Sequence, residues 1–525
     1  MGDSSTRGHP SIPSEGVRGL VGLQNLGNTC FMNACLQCLS NTAPVRDFFE
    51  ESEWSKQVNK SNVMGHGGAV AQAFGELVRC LWSSTQKLSS EQMRVGGKGK
   101  RGGCLPSCCS SSSSKASAAA DSWNSVVTVA PASPVHGVPQ MSISPDHFKA
   151  TLSQHCEMFA GYSQHDTQEL LLFLLDALHE DLNRVVRKPY VEIFDFDGRH
   201  ISYDSDARKS PPKEPQPATE VVAAERQWVG HLQRNQSVIV DLFQGQLRSE
   251  LQCKTCGHRN VKFEAFMNLE LPLISSGSGA EGARGAADYS ATDIHSCLRE
   301  FSKVEHLTGE HQWRCHKCKE LRDATKQLTI FSLPNVLVIS FKRFLVDNWG
   351  QTSGKLDVQV DFPLEGFDLS PGVSRDEHGE RSVAASSDDN DPKYDLYGVA
   401  NHFGGMSGGH YTAYCQNSID KHWYEFNDSR CTRQSASKIC TKNAYVLFFR
   451  KQRLQSRLGS MLEETVRVAA DGTRRKGSVH AKQRQSVKKR LEDWHKPVSG
   501  DMNVDMHMDM HMEGREEGDE EEIDL

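Results

Sequence analysis

The chain has 525 residues, of which 37% are hydrophobic and 24% charged, and its formal charge is −7 at neutral pH. That length holds one large domain with insertions, or about two to three ordinary ones. The acidic balance argues against a nucleic-acid role, and the longest apolar run, residues 170–175, is far too short to cross a bilayer, so no membrane association is expected.

Residues 1–18 are polar, with prolines and glycines, and read as a flexible arm. The stretch Gly22-Leu23-Gln24-Asn25-Leu26-Gly27-Asn28-Thr29-Cys30-Phe31-Met32-Asn33 then reads as a loop that delivers a cysteine to the first turn of a helix. Gly22 and Gly27 allow tight backbone geometry, Asn28 or Thr29 is placed to cap, and Phe31, Cys35, Cys38 and Leu39 continue an apolar stripe. At a helix start, unpaired backbone amides favour a thiolate, the state in which Cys30 would act as a nucleophile at neutral pH. Asn25, five residues upstream, carries a side-chain amide suited to an oxyanion.

A second helix is expected from about Val70 to Trp82. Residues 96–143 are low-complexity, with a basic glycine stretch and a serine run, and read as a disordered insertion. Further insertions are expected at 205–220, 275–289 and 371–391. Between them, Gly161-Tyr162-Ser163-Gln164-His165-Asp166-Thr167-Gln168-Glu169 precedes an apolar-periodic helix that Asp166 or Thr167 can cap. The run Val238-Ile239-Val240-Asp241-Leu242-Phe243 reads as a strand continuing through Leu247, and from there to Phe449 the signals are mostly β.

Cys253-Lys254-Thr255-Cys256 and Cys315-His316-Lys317-Cys318 are two Cys-x-x-Cys pairs among polar residues expected at hairpin tips. Four thiolates suit structural, tetrahedral zinc with no open position for catalysis. His258, His311 and His316 lie close in sequence, but four cysteines are the simpler ligand count. With sixteen cysteines and no apolar N-terminal signal segment, the chain reads as a protein of a reducing compartment.

In Gly404-Gly405-Met406-Ser407-Gly408-Gly409-His410-Tyr411, a histidine follows a glycine loop at the start of an alternating strand. Trp423-Tyr424-Glu425-Phe426-Asn427-Asp428 ends a further strand with two polar residues. If these strands pair as a hairpin, Asn427 or Asp428 returns to His410 and fixes its tautomer. Beyond residue 450 lies a charged tail, 451–525, with basic clusters at 474–476 and 488–490 that resemble a bipartite nuclear-import signal, leaving nucleus and cytoplasm both open.

With these blocks in view, the chain resembles the ubiquitin-specific proteases, papain-like cysteine deubiquitinases of peptidase family C19. The likeness runs through the cysteine box at Gly22 to Asn33, the Gln-x-Asp-x-Gln-Glu element at Gly161 to Leu170, Asp241-Leu242-Phe243-Gln244-Gly245, the strand at Leu333 to Phe344, and the histidine box at Tyr397-Gly398-Val399 and Gly408 to Tyr414. It implies an α+β, papain-like fold over 19–450, with thumb, palm and zinc-bearing β fingers. It makes Cys30 the nucleophile, His410 the base, Asn427 the third catalytic residue, Asp428 the adjacent acid and Asn25 the oxyanion residue. Cys253, Cys256, Cys315 and Cys318 become the zinc ligands. The implied reaction is thiol-dependent hydrolysis of the bond after ubiquitin's C-terminal glycine, with no cofactor in the chemistry. Ubiquitin and ubiquitinated proteins are the implied partners, with adaptors on the insertions or tail. An isopeptidase for a ubiquitin-like modifier and a catalytically silent ubiquitin-binding scaffold are the alternatives.

Overall fold

The computed structural model describes residues 17–51, 54–83, 141–191, 220–274, 291–346, 352–374, 392–405 and 408–452. The expected arm up to residue 16, the interiors of the four insertions, and the tail with its basic clusters lie outside the described residues. No helix among the described residues is long and apolar enough to cross a membrane.

A helical half comes first. After the short strand β1 (Gly22–Leu23) run α1 (Cys30–Ser40), α2 (Ala43–Glu50) and α3 (Ala69–Trp82), then β2 (Ser142–Ile143), α4 (Asp146–His155) and α5 (Thr167–Asp181). Every residue of α1 is buried, so it is a central helix rather than one with the expected single apolar stripe. Asp166 caps α5, its carboxylate accepting from Gln168 N at 2.6 Å. α1 begins after Thr29 without a side-chain cap, because the Thr29 hydroxyl accepts from Leu26 N at 2.9 Å instead.

The second half alternates strands with short helices. It runs α6 (Glu220–Leu232), α7 (Val238–Phe243), β3 (Gly245–Cys253), β4 (Arg259–Phe266), β5 (Leu269–Leu271), α8 (Ile294–Phe301), β6 (Glu305–Leu307), β7 (Ala324–Ser332) and β8 (Val336–Phe341). β9 (Lys393–Gly405), β10 (Gly408–Gln416), β11 (Trp423–Asn427), β12 (Arg430–Gln434) and β13 (Ala444–Lys451) follow, with further short strands between these elements. The large sheet has the order β12-β11-β10-β9-β13-β8-β5, antiparallel except for β5 on β8, and α1 lies against β10 and β9. A core of Leu337, Ile339, Phe341, Phe367, Leu396, Leu447 and Phe449 fills one side of this sheet. A second, antiparallel sheet, β4-β3-β7-β6, is covered by α6 through Ala223, Ala224, Val261, Phe263 and Phe331.

The expected strand at Val238–Phe243 is a helix, α7, with the Ser237 hydroxyl accepting from Val240 N at 3.2 Å. Its β-branched residues favour a strand locally, but five of its six residues are buried, and packing on both flanks with a competent cap decides the state. Three insertion boundaries also move inward. Ser142–Ile143 pairs in parallel with Gly22–Leu23, and Glu220 opens α6 and bonds Arg248 and Arg259. Val373 is buried, and Ser374 N donates to Ile330 O at 2.9 Å. Each is a short ordered edge flanked by polar sequence, too brief to show a period.

Candidate active site

Three chain segments converge at the N-terminus of α1. Gly22 carries the first into place: Leu23 N donates to Asp428 O at 2.9 Å, and a Cβ on Gly22 would stand 2.4 Å from the Ser429 carbonyl, so only glycine permits this approach. The loop then folds around the Asn25 side chain, whose Oδ1 accepts from Gly27 N at 3.0 Å and Thr29 N at 3.1 Å. Cys30 follows as the first residue of α1.

Cys30 Sγ accepts from Gln164 Nε2 at 3.5 Å, and this bond together with the backbone of Tyr411 and Phe31 favours the thiolate. Burial nevertheless pushes the thiol above its ordinary range, and the Asp428 charge pushes the same way, against these donors. The backbone at the helix start favours the thiolate, as expected, but in the free protein desolvation outweighs it.

His410 stands on β10 next to Gly409, whose backbone Gln164 joins to the Cys30 sulfur. The predicted hairpin is present, with Ala413 opposite Phe426 and Gln416 opposite Trp423. It brings Asn427 Oδ1 to 2.8 Å from His410 Nε2. With Nε2 donating to Asn427, Nδ1 is the nitrogen left for proton transfer. Asp428 turns elsewhere: with a left-handed φ of 49°, it accepts from Asn25 Nδ2 at 2.9 Å and from Asn33 Nδ2 at 2.8 Å. Of the two residues that could orient His410, the neutral one makes the contact.

Two further contacts join the site to its surroundings. Asn33 lies one helical turn after Cys30, and that spacing alone could have placed it at the site. The Tyr445 hydroxyl donates to Asp166 Oδ2 at 2.8 Å, tying α5 to the large sheet. Burial pushes the Asp166 carboxyl above its usual range despite the hydrogen bonds from Tyr445 and Gln168.

The four finger cysteines also meet, all their sulfurs lying within 4.8 Å of one another. The two knuckles share one backbone design. In each, the first cysteine's carbonyl accepts from the amide four residues on, Gly257 at 2.9 Å and Lys319 at 2.8 Å, and both of those residues have left-handed φ. Its own amide donates to the carbonyl five residues on, His258 at 2.9 Å and Glu320 at 3.0 Å. The Cys256–Cys315 sulfur separation is 3.6 Å, close to the roughly 3.8 Å edge of a tetrahedron with metal–sulfur bonds of about 2.3 Å. Backbone amides of Cys256 and Thr255, the former first, favour the Cys253 thiolate, while hydrogen bonding to the neighbouring Cys256 sulfur favours the protonated Cys318, so the four thiols share their protons. The cluster is thus geometrically suited to hold one four-coordinate metal ion.

A helical half presenting a cysteine to a histidine–asparagine pair on a sheet defines the class as papain-like. The family model described as ubiquitin carboxyl-terminal hydrolase matches residues 21–449, and the chain belongs to that family. It is 31% identical over 450 residues to ubiquitin carboxyl-terminal hydrolase 2 of Homo sapiens, covering 85% of this chain and 57% of that protein. It is 32% identical over 445 residues to ubiquitin carboxyl-terminal hydrolase 2 of Gallus gallus, covering 85% of this chain and 97% of that one. The chain thus spans little more than half the length of its mammalian relatives. Among solved structures, the SAGA Ubp8/Sgf11/Sus1/Sgf73 DUB module bound to ubiquitin aldehyde shares the fold, with a TM-score of 0.50 and 20% identity over 85% of this chain and 72% of that one.

Proposed function

We propose that the protein is a thiol-dependent deubiquitinase that hydrolyses the bond after ubiquitin's C-terminal glycine. The observation that carries this reading is the Gln164 bridge from Cys30, at the head of α1, to the strand of His410, whose Nε2 is held by Asn427.

In the proposed reaction the Cys30 thiol passes its proton to His410 Nδ1, and sulfur attacks the terminal glycine carbonyl. Backbone amides at the head of α1 and the Asn25 amide face the oxyanion, Asn25 being held in place through Asp428. His410 returns the proton to the departing amine, which leaves a thioester. Water then gives its proton to His410, the hydroxide adds, and thiol and free carboxylate are released. Substrate that seals the cleft raises the worth of these hydrogen bonds, so a thiol held high in the free protein is compatible with activity in the complex.

Zinc is the ion proposed for the four-thiolate cluster, by ligand type and geometry. Its position between the β3–β4 turn and the knuckle from Cys315 to Cys318 gives it a structural role.

The test is reaction with a ubiquitin C-terminal electrophile beside matched ubiquitin-like modifier probes. Wild type is expected to gain the mass of one ubiquitin while Cys30→Ala gains none. Labelling by a modifier probe alone would move the substrate to that modifier. Labelling of neither, in folded and metal-loaded protein, would favour a silent scaffold.

A further inference from the structure

The geometry points to Gln164 as a positioning residue that locks the nucleophile helix to the histidine strand and holds the Cys30 sulfur in register with His410. This deepens the proposed cysteine chemistry and rests on it. Gln164 precedes α5, yet its amide reaches across the cleft and pairs with both backbone groups of Gly409. Nε2 donates to Gly409 O at 2.6 Å, and Oε1 accepts from Gly409 N at 3.0 Å. The same Nε2 lies 3.5 Å from Cys30 Sγ. One side chain therefore touches the sulfur and fixes the residue immediately before His410.

The partner is built for this clamp. A Cβ on Gly409 would stand 2.2 Å from His402 Nε2 and 3.0 Å from Phe403 O, so the strand can carry only glycine where the amide docks. His402, packed against Tyr411 with ring centroids 4.6 Å apart, closes that position from behind. On the far side of His410, the Tyr411 backbone favours the thiolate form of the same sulfur. The thiol thus receives a cross-cleft donor from the side chain that grips Gly409, the residue immediately before His410.

Glutamine suits the task because it supplies a donor and an acceptor on one rigid plane. Glutamate in its place keeps the bond from Gly409 N but loses both donated ones and sets a negative charge beside the sulfur. Methionine keeps the volume and loses all three.

The experiment compares wild-type, Gln164→Met and Gln164→Glu full-length proteins. It follows carbamidomethylation of the Cys30-containing peptide by mass spectrometry across pH, and kcat and KM on a fluorogenic ubiquitin substrate. Lost hydrogen bonds to a thiolate predict Cys30 labelling at pH 7 about tenfold slower in Gln164→Met, a profile moved to higher pH, and kcat about tenfold lower with KM little changed. Gln164→Glu is expected to move further the same way. Profiles superimposed on wild type would overturn the assignment, as would a rise in KM alone, which would make Gln164 a substrate contact. Unfolding of Gln164→Met with native-like Gln164→Glu unchanged in profile would also overturn it. Cys30→Ala serves as the separate control: activity surviving that change would sink the cysteine mechanism itself rather than the role of Gln164.

Discussion

His410 Nε2 and Asn427 Oδ1 lie 2.8 Å apart, while the adjacent Asp428 faces away, toward Asn25 and Asn33. The two neighbours therefore divide the work. Asn427 fixes the imidazole tautomer without supplying charge, and Asp428 fixes the amide of Asn25 and the start of α1. Asn427→Ala is expected to lower kcat/KM by about 100-fold, the scale of a disoriented general base, and to leave activity above that of Cys30→Ala. Asp428→Ala should cost about tenfold through a loosened Asn25. It should also shift Cys30 labelling to lower pH, because the Asp428 charge pushes that thiol up. Steady-state kinetics with the labelling profile separate the two. A profile unmoved by Asp428→Ala would contradict this division.

The four-cysteine cluster predicts about one zinc per chain by elemental analysis, since tetrathiolate geometry leaves room for a single ion. Cys315 is fully buried between the knuckles, so Cys315→Ser is expected to lose the metal and lower the thermal midpoint. Chelation of wild type should reproduce that shift. Because the cluster terminates β3, the loss is expected to raise KM for ubiquitin more than it lowers kcat. An equal midpoint with and without metal would remove its structural role.

How much of this was readable in advance follows the range of each interaction. Cys30, His410 and Asn427 stand in short blocks whose local chemistry announces them, and the hairpin that joins the last two spans only 17 residues. The Gln164–Gly409 clamp spans 245 residues and the Asn33–Asp428 bond spans 395, so nothing near either partner signals the other. Val238–Phe243 was legible but misleading, since β-branching speaks for a strand and only the surrounding core argues for a helix. Gly22 looked like loop glycine. Its real constraint is the Ser429 carbonyl at 2.4 Å from where a Cβ would be, a fact of tertiary docking. The Cys-x-x-Cys spacing anticipated which four cysteines meet because knuckle geometry is local, repeated at Gly257 and Lys319.

Asp181 shows how the helical half is tied together. At the last position of α5, fully buried, it accepts from His66 N at 2.7 Å and from Gly68, Val70 and Ala71 N at 3.1 Å each. It thereby caps α3, whose own N-cap, Gly68, has no side chain to do so. Asp181→Asn turns one acceptor into a donor facing backbone amides. The expected cost is about 2–4 kcal/mol in urea unfolding, since buried donors lose a charged partner. A cost below about 1 kcal/mol would mean that water replaces the carboxylate.

His402 gives the fold a defined acid sensitivity. Burial, helped by the charge of Lys355, pushes its imidazole down from 6.5 to about 4. It is therefore neutral in the folded chain at a pH where the unfolded chain has already taken up a proton. Stability attached to this group is fully present above about pH 6.5 and falls as pH drops toward 4, because the unfolded state binds the extra proton across that window. Between pH 7 and pH 5 the loss amounts to about 2 kcal/mol. Other groups titrate over the same range, so the measurement is a difference: urea unfolding of wild type and His402→Gln at both pH values. His402→Gln is expected to be less stable at pH 7, having lost contacts with Phe344 and Tyr411, yet to lose about 2 kcal/mol less on acidification. Parallel losses in the two proteins would show that the imidazole takes up its proton without unfolding the strand beside Gly409, and the acid sensitivity would then belong to another group.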